Sequence, residues 1–390
     1  MPASPSAPVI SGAGISEIGR RTGIPALDLT VQASTAAIAD AGLTPGDIDA
    51  VLTLGDTPAD EAARALGVRE GGADDGPMLG RYGLLTPVVA ARDLIAEGRA
   101  RHVLVYRTVQ MIGGTVDRRA AERSPRSGGM RAEGGMDMTE VGYLLAAHAY
   151  SAANWLAMHC RAHMDRYGTT KEHLGWIALN ARRNAARNPL AVYRDPMTMD
   201  QYLNARPISS PLGLLDCDVP VDGSIALVLS HPEHRTAAPN GAVTIEAAGG
   251  ASGAGGWTGR PDYPKMAMHD AAADMWSQTD LKPADVDLVE LYDGFSYLTL
   301  AWLEALGFCA DGEGGPFVEG GTRIARDGEL PLNTYGGQLS AGRMHGYWVL
   351  HEACQQLRGL AADTATPRRP EVAVASAGGG PIAGCVLLSC

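Results

Sequence analysis

The sequence predicts an α/β protein made of two similar halves. Three observations carry this reading: a short motif that occurs twice, the same strand–turn–helix pattern before each copy, and a core composition dominated by small residues. Residues 43–51 read LTPGDIDAV and residues 281–289 read LKPADVDLV, so Pro45 matches Pro283, Asp47 matches Asp285, Asp49 matches Asp287 and Val51 matches Val289. The agreement extends to order and context, which is the signature of an internal duplication. The chain has 49 glycines and only 3 phenylalanines, a composition that lets elements pack close together.

Each copy of the motif sits in a β-α-β unit. In the first half, VISGAGISEIG reads as a strand ending in a glycine turn, and ALDLTVQASTAAIADAG as a helix with apolar positions about 3.6 apart. A proline turn then feeds the strand AVLTLGD. In the second half the equivalents are VTIEAAGGASG, KMAMHDAAADMWSQTD and LVELYDG. PVVAARDLIAEGRARHVLVYR is a helix followed by a buried strand; its counterpart is HGYWVLHEACQQLRGL followed by EVAVASAGGG and CVLLS. Residues 111–137 lack periodicity, are rich in Gly and Arg, and read as a long loop of the kind that is functional or mobile. Residues 140–235 read as an inserted helical cap plus the strand VDGSIALVLSHPE. The halves are expected to be 1–238, with an insertion over about 111–215, and 239–390, divided near TAAPNG at 236–241.

The bulk numbers exclude several functions. With 32 basic against 44 acidic residues the net charge is −12, which disfavours nucleic acid as a partner, because phosphate contacts need clustered Lys and Arg. Arg81, Arg92, Arg99, Arg101, Arg118, Arg119, Arg123, Arg126 and Arg131 do cluster in one third of the chain; they read either as a solvated surface or as a patch for an anionic cofactor. The six cysteines are scattered without a CxxC pair, which fits a reducing cytosol and neither a disulfide framework nor structural zinc. The ten histidines show no metal-binding spacing, so no metal is expected. MPASPSAPVISG lacks the pattern of a signal peptide, and no apolar run approaches the roughly 18 residues of a membrane span. SGAGISEIG is not a dinucleotide fingerprint, since Glu17 occupies the place of the third glycine.

Four separated motifs, in order, resemble the thiolase superfamily and its sterol-carrier-protein branch. HMDRYGTTKEHLGWIALNARRNAARNPL and the sequence up to DCDVPVDGSIALVL resemble that branch's cap region and the strand after it. VELYDGFSYLTLAWLEALGF resembles the NEAF or HDCF stretch, NTYGGQLSAGRMHG the GHPxG segment, and VASAGGG the CxGGG segment. The resemblance implies a thiolase fold, a five-layer α-β-α-β-α architecture with two mixed sheets. It also implies a homodimer and an acyl-CoA thioester substrate, with coenzyme A entering only as part of that substrate and no separate cofactor.

The side chains that carry thiolase chemistry are replaced. The nucleophilic cysteine position falls near Arg81, and no cysteine lies between Met1 and His159. The GHPxG histidine falls at Arg343, which cannot act as a base at neutral pH. The second cysteine becomes Ser376, and the Asn or His of NEAF or HDCF becomes Tyr292. Acyl transfer through a covalent thioester therefore has no evident nucleophile. The YDxF pattern resembles thiolase-like aldolases that cleave side chains from steroid coenzyme A thioesters. In that subgroup a tyrosine at this place is the base and a second tyrosine occupies the GHPxG histidine position. Here the second position is Arg343, leaving Tyr347 or Tyr335 as stand-ins.

The expected function is retro-aldol cleavage of a 3-hydroxyacyl-CoA thioester. It needs a base for the hydroxyl proton and a stabiliser for the enolate, and no covalent intermediate. The candidate catalytic residues are Tyr292, with Arg343 favouring phenolate, then His345, Tyr335 and Asp293. Asn333, Ser376, Tyr347 and the backbone of Gly378, Gly379 and Gly380 are the candidate substrate contacts. Each has a structural alternative: a buried tyrosine for Tyr292, a helix cap for Asp293, an ion pair for Arg343, a glycine turn for Tyr335, a space-filling role for Ser376. Two other functions stay open, a non-catalytic subunit that binds acyl-CoA and a cysteine-independent acyltransferase or condensing enzyme. The family also implies a separate OB-fold, zinc-ribbon partner chain.

Overall fold

The computed structural model describes residues 7–55, 57–69, 73–74, 80–112, 138–253 and 255–390. Most of the expected loop at 111–137 lies outside them. The first half begins with β1 (Val9–Ile15), α1 (Ala26–Asp40), β2 (Ala50–Thr53), α2 (Ala59–Leu66), β3 (Ala73–Asp74), α3 (Thr86–Ala96) and β4 (His102–Gln110). The cap follows: α4 (Met138–Ala146), α5 (Ala152–Tyr167), α6 (Lys171–Ala185), α7 (Met199–Leu203) and the small hairpin β5 (Pro207–Ser209) and β6 (Leu212–Gly213). After β7 (Asp222–Ser230), the second half runs β8 (Val243–Ser252), α8 (Ala267–Trp276), β9 (Leu288–Glu290), α9 (Ser296–Ala305), α10 (Gly314–Val318), α11 (Tyr347–Arg358), β10 (Val372–Gly379) and β11 (Ile382–Ser389).

The strand order is β3-β2-β4-β7-β1-β8-β11-β10-β9. In the first half β2 pairs parallel with β4, β4 antiparallel with β7, and β7 antiparallel with β1. In the second, β9 pairs parallel with β10, β10 antiparallel with β11, and β11 antiparallel with β8. A parallel bridge from Val289 to Leu332 stands where β3 pairs with β2. The two mixed sheets expected from the family are joined by a ladder of two residue pairs, Val9 with Thr244 and Ile10 with Val243, and so run on as one nine-stranded sheet.

Alternation along the strands builds five layers. Val103, Val105, Leu227 and Leu229 face a central core containing α3 and α11, whereas Leu104, Tyr106, Ala226 and Val228 face α1 and α2 on the outside. In the second half Ala373, Ala375 and Val386 join the central core, and Val374 and Leu387 face α8, α9 and the cap. Small residues permit the close approach of the outer helices. A Cβ on Gly14 of β1 would lie 2.2 Å from the Ala33 carbonyl oxygen, and one on Gly249 of β8 would lie 1.9 Å from that of Ala271.

The duplicated motif does the same work twice. Asp47 Oδ2 accepts from the Thr44 N–H at 2.8 Å, and Asp285 Oδ2 from the Lys282 N–H at 2.8 Å, each closing a one-turn helix. Asp49 Oδ2 accepts from the N–H groups of Arg101 and His102 at 2.7 and 3.0 Å, tying down the start of β4. Asp287 Oδ2 accepts from those of Glu371 and Val372 at 2.9 and 3.1 Å, tying down the start of β10.

A buried polar knot supports the turn after the Leu332 bridge. Glu290 Oε1 accepts from the Thr334 N–H at 3.0 Å and lies 2.7 Å from Thr334 Oγ1, while Glu352 Oε1 lies 2.8 Å from that same hydroxyl oxygen. Thr334 has one hydroxyl hydrogen for two carboxyls, so one carboxyl must donate. Burial, then the neighbouring Glu352, hold Glu290 well above the carboxylate range, and Glu290 carries the proton. A carboxyl whose pKa is raised by folding contributes stability that is full below its unfolded value and lost as pH rises through its folded value. Glu290→Gln is therefore expected to lose less melting temperature than the wild-type chain between about pH 6 and 9, measured by thermal denaturation; parallel curves would remove the proton from Glu290.

Candidate active site

The candidate side chains gather where β4, β9 and β10 end, at the carboxyl edge that open α/β sheets use for ligands. Tyr292 follows β9, and its ring reaches the boundary of the central and outer cores. Its backbone is held from three sides. Asn333 grips Leu291, its Oδ1 accepting from the Leu291 N–H at 2.7 Å and its Nδ2 donating to the Leu291 carbonyl at 2.9 Å. Ser376 Oγ accepts from the Tyr292 N–H at 3.0 Å. The Asp293 carboxylate accepts from the N–H groups of Gln338 and Leu339 at 2.8 and 3.3 Å, capping the single π-helical turn Gly337–Ala341. Gly337 is required there, since its Cβ would lie 1.9 Å from Asp293 Oδ2.

Several expected roles change accordingly. Asn333 and Ser376, read as substrate contacts, position the backbone that carries Tyr292. Asp293 is fully buried and caps the π turn, not the helix it precedes; burial pushes it up to about 7. Tyr335 is fully buried, with its ring stacked on Trp348 at 5.1 Å, and Tyr347 is likewise buried. Among the described residues their hydroxyls meet no partner, burial raises both, and the Arg107 charge reaches Tyr347. The glycine run forms the β10–β11 hairpin. Gly378 pairs with Ala383 and Gly379 with Ile382, while the Gly380 N–H points to Met266 Sδ at 3.3 Å.

The charges of Arg343 and Arg107 act on both Tyr292 and His345, and Arg343 and His345 each bring a partner that the sequence reading missed. Arg343 Nη1 lies 3.2 and 3.3 Å from the two oxygens of Asp218, and its Nε and Nη2 lie 3.3 and 3.0 Å from Met111 Sδ. Arg107 Nη2 lies 2.7 Å from His345 Nδ1. A guanidinium only donates, so Nδ1 accepts and the ring proton sits on Nε2. Burial first, then Arg107 and Arg343, hold His345 well below the usual histidine range. His345 is a neutral imidazole with a fixed Nε2–H donor. The signal for Arg107 was present as a charge inside the apolar strand HVLVYRTVQ, and that for Asp218 as a carboxylate beside DGSIALVLS.

Tyr292 is held as a neutral phenol. Burial is the largest cause of its raised pKa and the Asp218 charge adds to it, together outweighing the lowering by Arg343. Arg343 does favour phenolate, as expected, but burial and the Asp218 carboxylate paired with it outweigh that effect. Gly294 leaves room for the ring, as a Cβ there would lie 2.7 Å from Tyr292 Cε1.

Thiol chemistry is remote from this geometry. Arg81, near the ancestral nucleophile position, pairs with Asp274 at 2.8 Å. Cys217 is adjacent in sequence to Asp218, but its Sγ donates to the Gly213 carbonyl at 3.4 Å and burial pushes it up to about 12. Cys160 is fully buried and also pushed up to about 12.

Comparison with known proteins agrees with the fold and the resemblance. Residues 249–387 match the model of the thiolase C-terminal domain-like family. The chain is 33% identical over 372 residues to a steroid side-chain-cleaving aldolase of Thermomonospora curvata, covering 92% of each chain. It is 33% identical over 368 residues to the 17-hydroxy-3-oxo-4-pregnene-20-carboxyl-CoA lyase of Mycobacterium tuberculosis, covering 91% of this chain and 92% of that one. Among solved structures, an Ltp2-ChsH2(DUF35) aldolase superposes with a TM-score of 0.85 at 32% identity, covering 98% of this chain and 97% of the other. A duplicated five-layer fold, a tyrosine in place of the thiolase amide or imidazole, and relatives of this extent place the chain in the thiolase superfamily, in its family of thiolase-like aldolases.

Proposed function

We propose that this protein is a retro-aldol lyase that cleaves a 3-hydroxyacyl-CoA thioester without a cysteine nucleophile, and that its acyl group is a steroid side chain, as in the two relatives named above. The observation that supports this most directly is that one strand edge, where thiolases carry sulfur, holds a neutral phenol at Tyr292 and a neutral, tautomer-locked donor at His345, both under the charges of Arg107 and Arg343. Retro-aldol chemistry asks for hydrogen-bond donors placed where negative charge develops. Tyr292 Oη–H donates to the substrate's 3-oxygen as it loses its proton. His345 Nε2–H donates to the thioester oxygen as it becomes an enolate, and its lack of charge leaves no competing ion pair in the free enzyme. The homodimer, the separate partner chain and the cytoplasmic location remain part of this reading; the two-protein name of the structural neighbour supports the partner.

Two measurements test it. Incubation with 3-hydroxyacyl-CoA should release a ketone or aldehyde and a shorter thioester, and Tyr292→Phe should lower kcat by about 10²–10³-fold, the scale of one lost donor; release of free coenzyme A instead would support acyl transfer. Nitrogen-15 NMR of the histidines should show His345 as the Nε2–H tautomer from about pH 5 to 8. Arg107→Met should raise its pKa toward the ordinary value, because one of the charges that depress it is gone. An imidazolium at neutral pH in the wild-type protein would overturn the donor assignment.

A further inference from the structure

The lyase reading leaves the hydroxyl proton without an acceptor. Tyr292 is held as a phenol and is a donor at neutral pH. His345 has its Nδ1 lone pair taken by Arg107 and a hydrogen on Nε2. The guanidinium groups of Arg107 and Arg343 have no acceptor to offer. Ser376 and Asp293 are fully buried, facing the Tyr292 N–H and the N–H groups of the π turn, whereas the Asp218 side chain keeps some exposure. Among the described residues at this edge, that leaves one base.

We propose that Asp218 is the general base that takes the proton from the substrate's 3-hydroxyl, an assignment that rests on the lyase reading above. Its carboxylate lies in the loop that enters β7, where the Asp218 N–H donates to the Gly294 carbonyl at 3.2 Å, two residues beyond Tyr292. One nitrogen of Arg343 spans both its oxygens at 3.2 and 3.3 Å, and this long, shared contact leaves lone pairs on each. The side chain is 10% exposed and that of Arg343 30%, so the pair is not sealed from solvent. Four groups act on Asp218 or feel its charge: Arg343, Tyr292, Asp293 and Cys217.

The step balances without any co-reactant. The substrate O–H bond breaks and its proton passes to Asp218. The C2–C3 bond breaks, its electron pair moves into the thioester as an enolate held by His345, and C3 becomes a carbonyl. The proton on Asp218 then returns to C2, which restores the carboxylate and gives the shorter thioester. Burial sets Asp218 at about 6 against the lowering by Arg343, so it is ionised at neutral pH and still basic enough to accept a proton.

The test is the pH profile of kcat/KM on a 3-hydroxyacyl-CoA for the full chain, with folding followed by circular dichroism. The wild-type protein should gain activity with rising pH through about 6. Asp218→Asn should lower kcat/KM by about 10²–10⁴-fold and abolish that limb, while Asp218→Glu keeps it. Arg343→Met should move the limb to higher pH, because Arg343 holds the carboxyl down; this variant tests the assignment even if Asp218→Asn does not fold. An active wild-type protein whose limb survives Asp218→Asn, or stays in place in Arg343→Met, overturns the base and leaves the lyase reading intact. A wild-type protein that cleaves no 3-hydroxyacyl-CoA overturns both.

Discussion

The site depends on how the backbone of residues 291–293 is held. β9 ends at Glu290, and a chain leaving a sheet edge has no ladder to fix it. Asn333 closes a two-bond clamp on Leu291, Ser376 takes the N–H of Tyr292, and the π turn takes the carboxylate of Asp293. Three consecutive residues are therefore fixed by three different segments, and the ring between them has a defined place. The protonated Glu290 and Thr334 secure the turn that supplies Asn333, so the clamp rests on the core of the second half.

The surrounding charges explain why sulfur could be lost. A thiolase stores its acyl group on a thiolate, which requires a helix N-terminus and nearby donors to stabilise that anion. The thiols of Cys160 and Cys217 are held protonated by burial. In their place stand a phenol, an imidazole fixed by Arg107 and a carboxylate balanced by Arg343. None of the three must carry a covalent adduct; each needs only to give or take a hydrogen, which is the demand of breaking a carbon–carbon bond next to a thioester.

Most of the fold was legible because its signals are local and repeated. The Pro-x-Asp-x-Asp motif announced the duplication, and the structure shows what both aspartates do: each accepts from backbone N–H groups at a turn or a strand start. The edge of the site was legible too, through Tyr292, Arg343 and His345. The division of labour was not. Spacing cannot show that Asn333 turns its amide to Leu291, or that the glycines after Ser376 make a hairpin. Arg107 and Asp218 escaped because they lie 238 and 125 positions from their partners His345 and Arg343, and only the folded sheet brings β4 and the loop before β7 against the 343–345 segment.

The junction between the two halves has a consequence for how the molecule comes apart. Only two residue pairs join β1 to β8, yet α11 from the second half packs in the same central core as β4 and β7 from the first. Peeling the seam open would strip α11 from both sheets at once and expose apolar surface on each. What began as two equivalent folding modules has become one cooperative unit, and a protein cut at the connection near 236–241 would yield fragments that need each other to stay soluble.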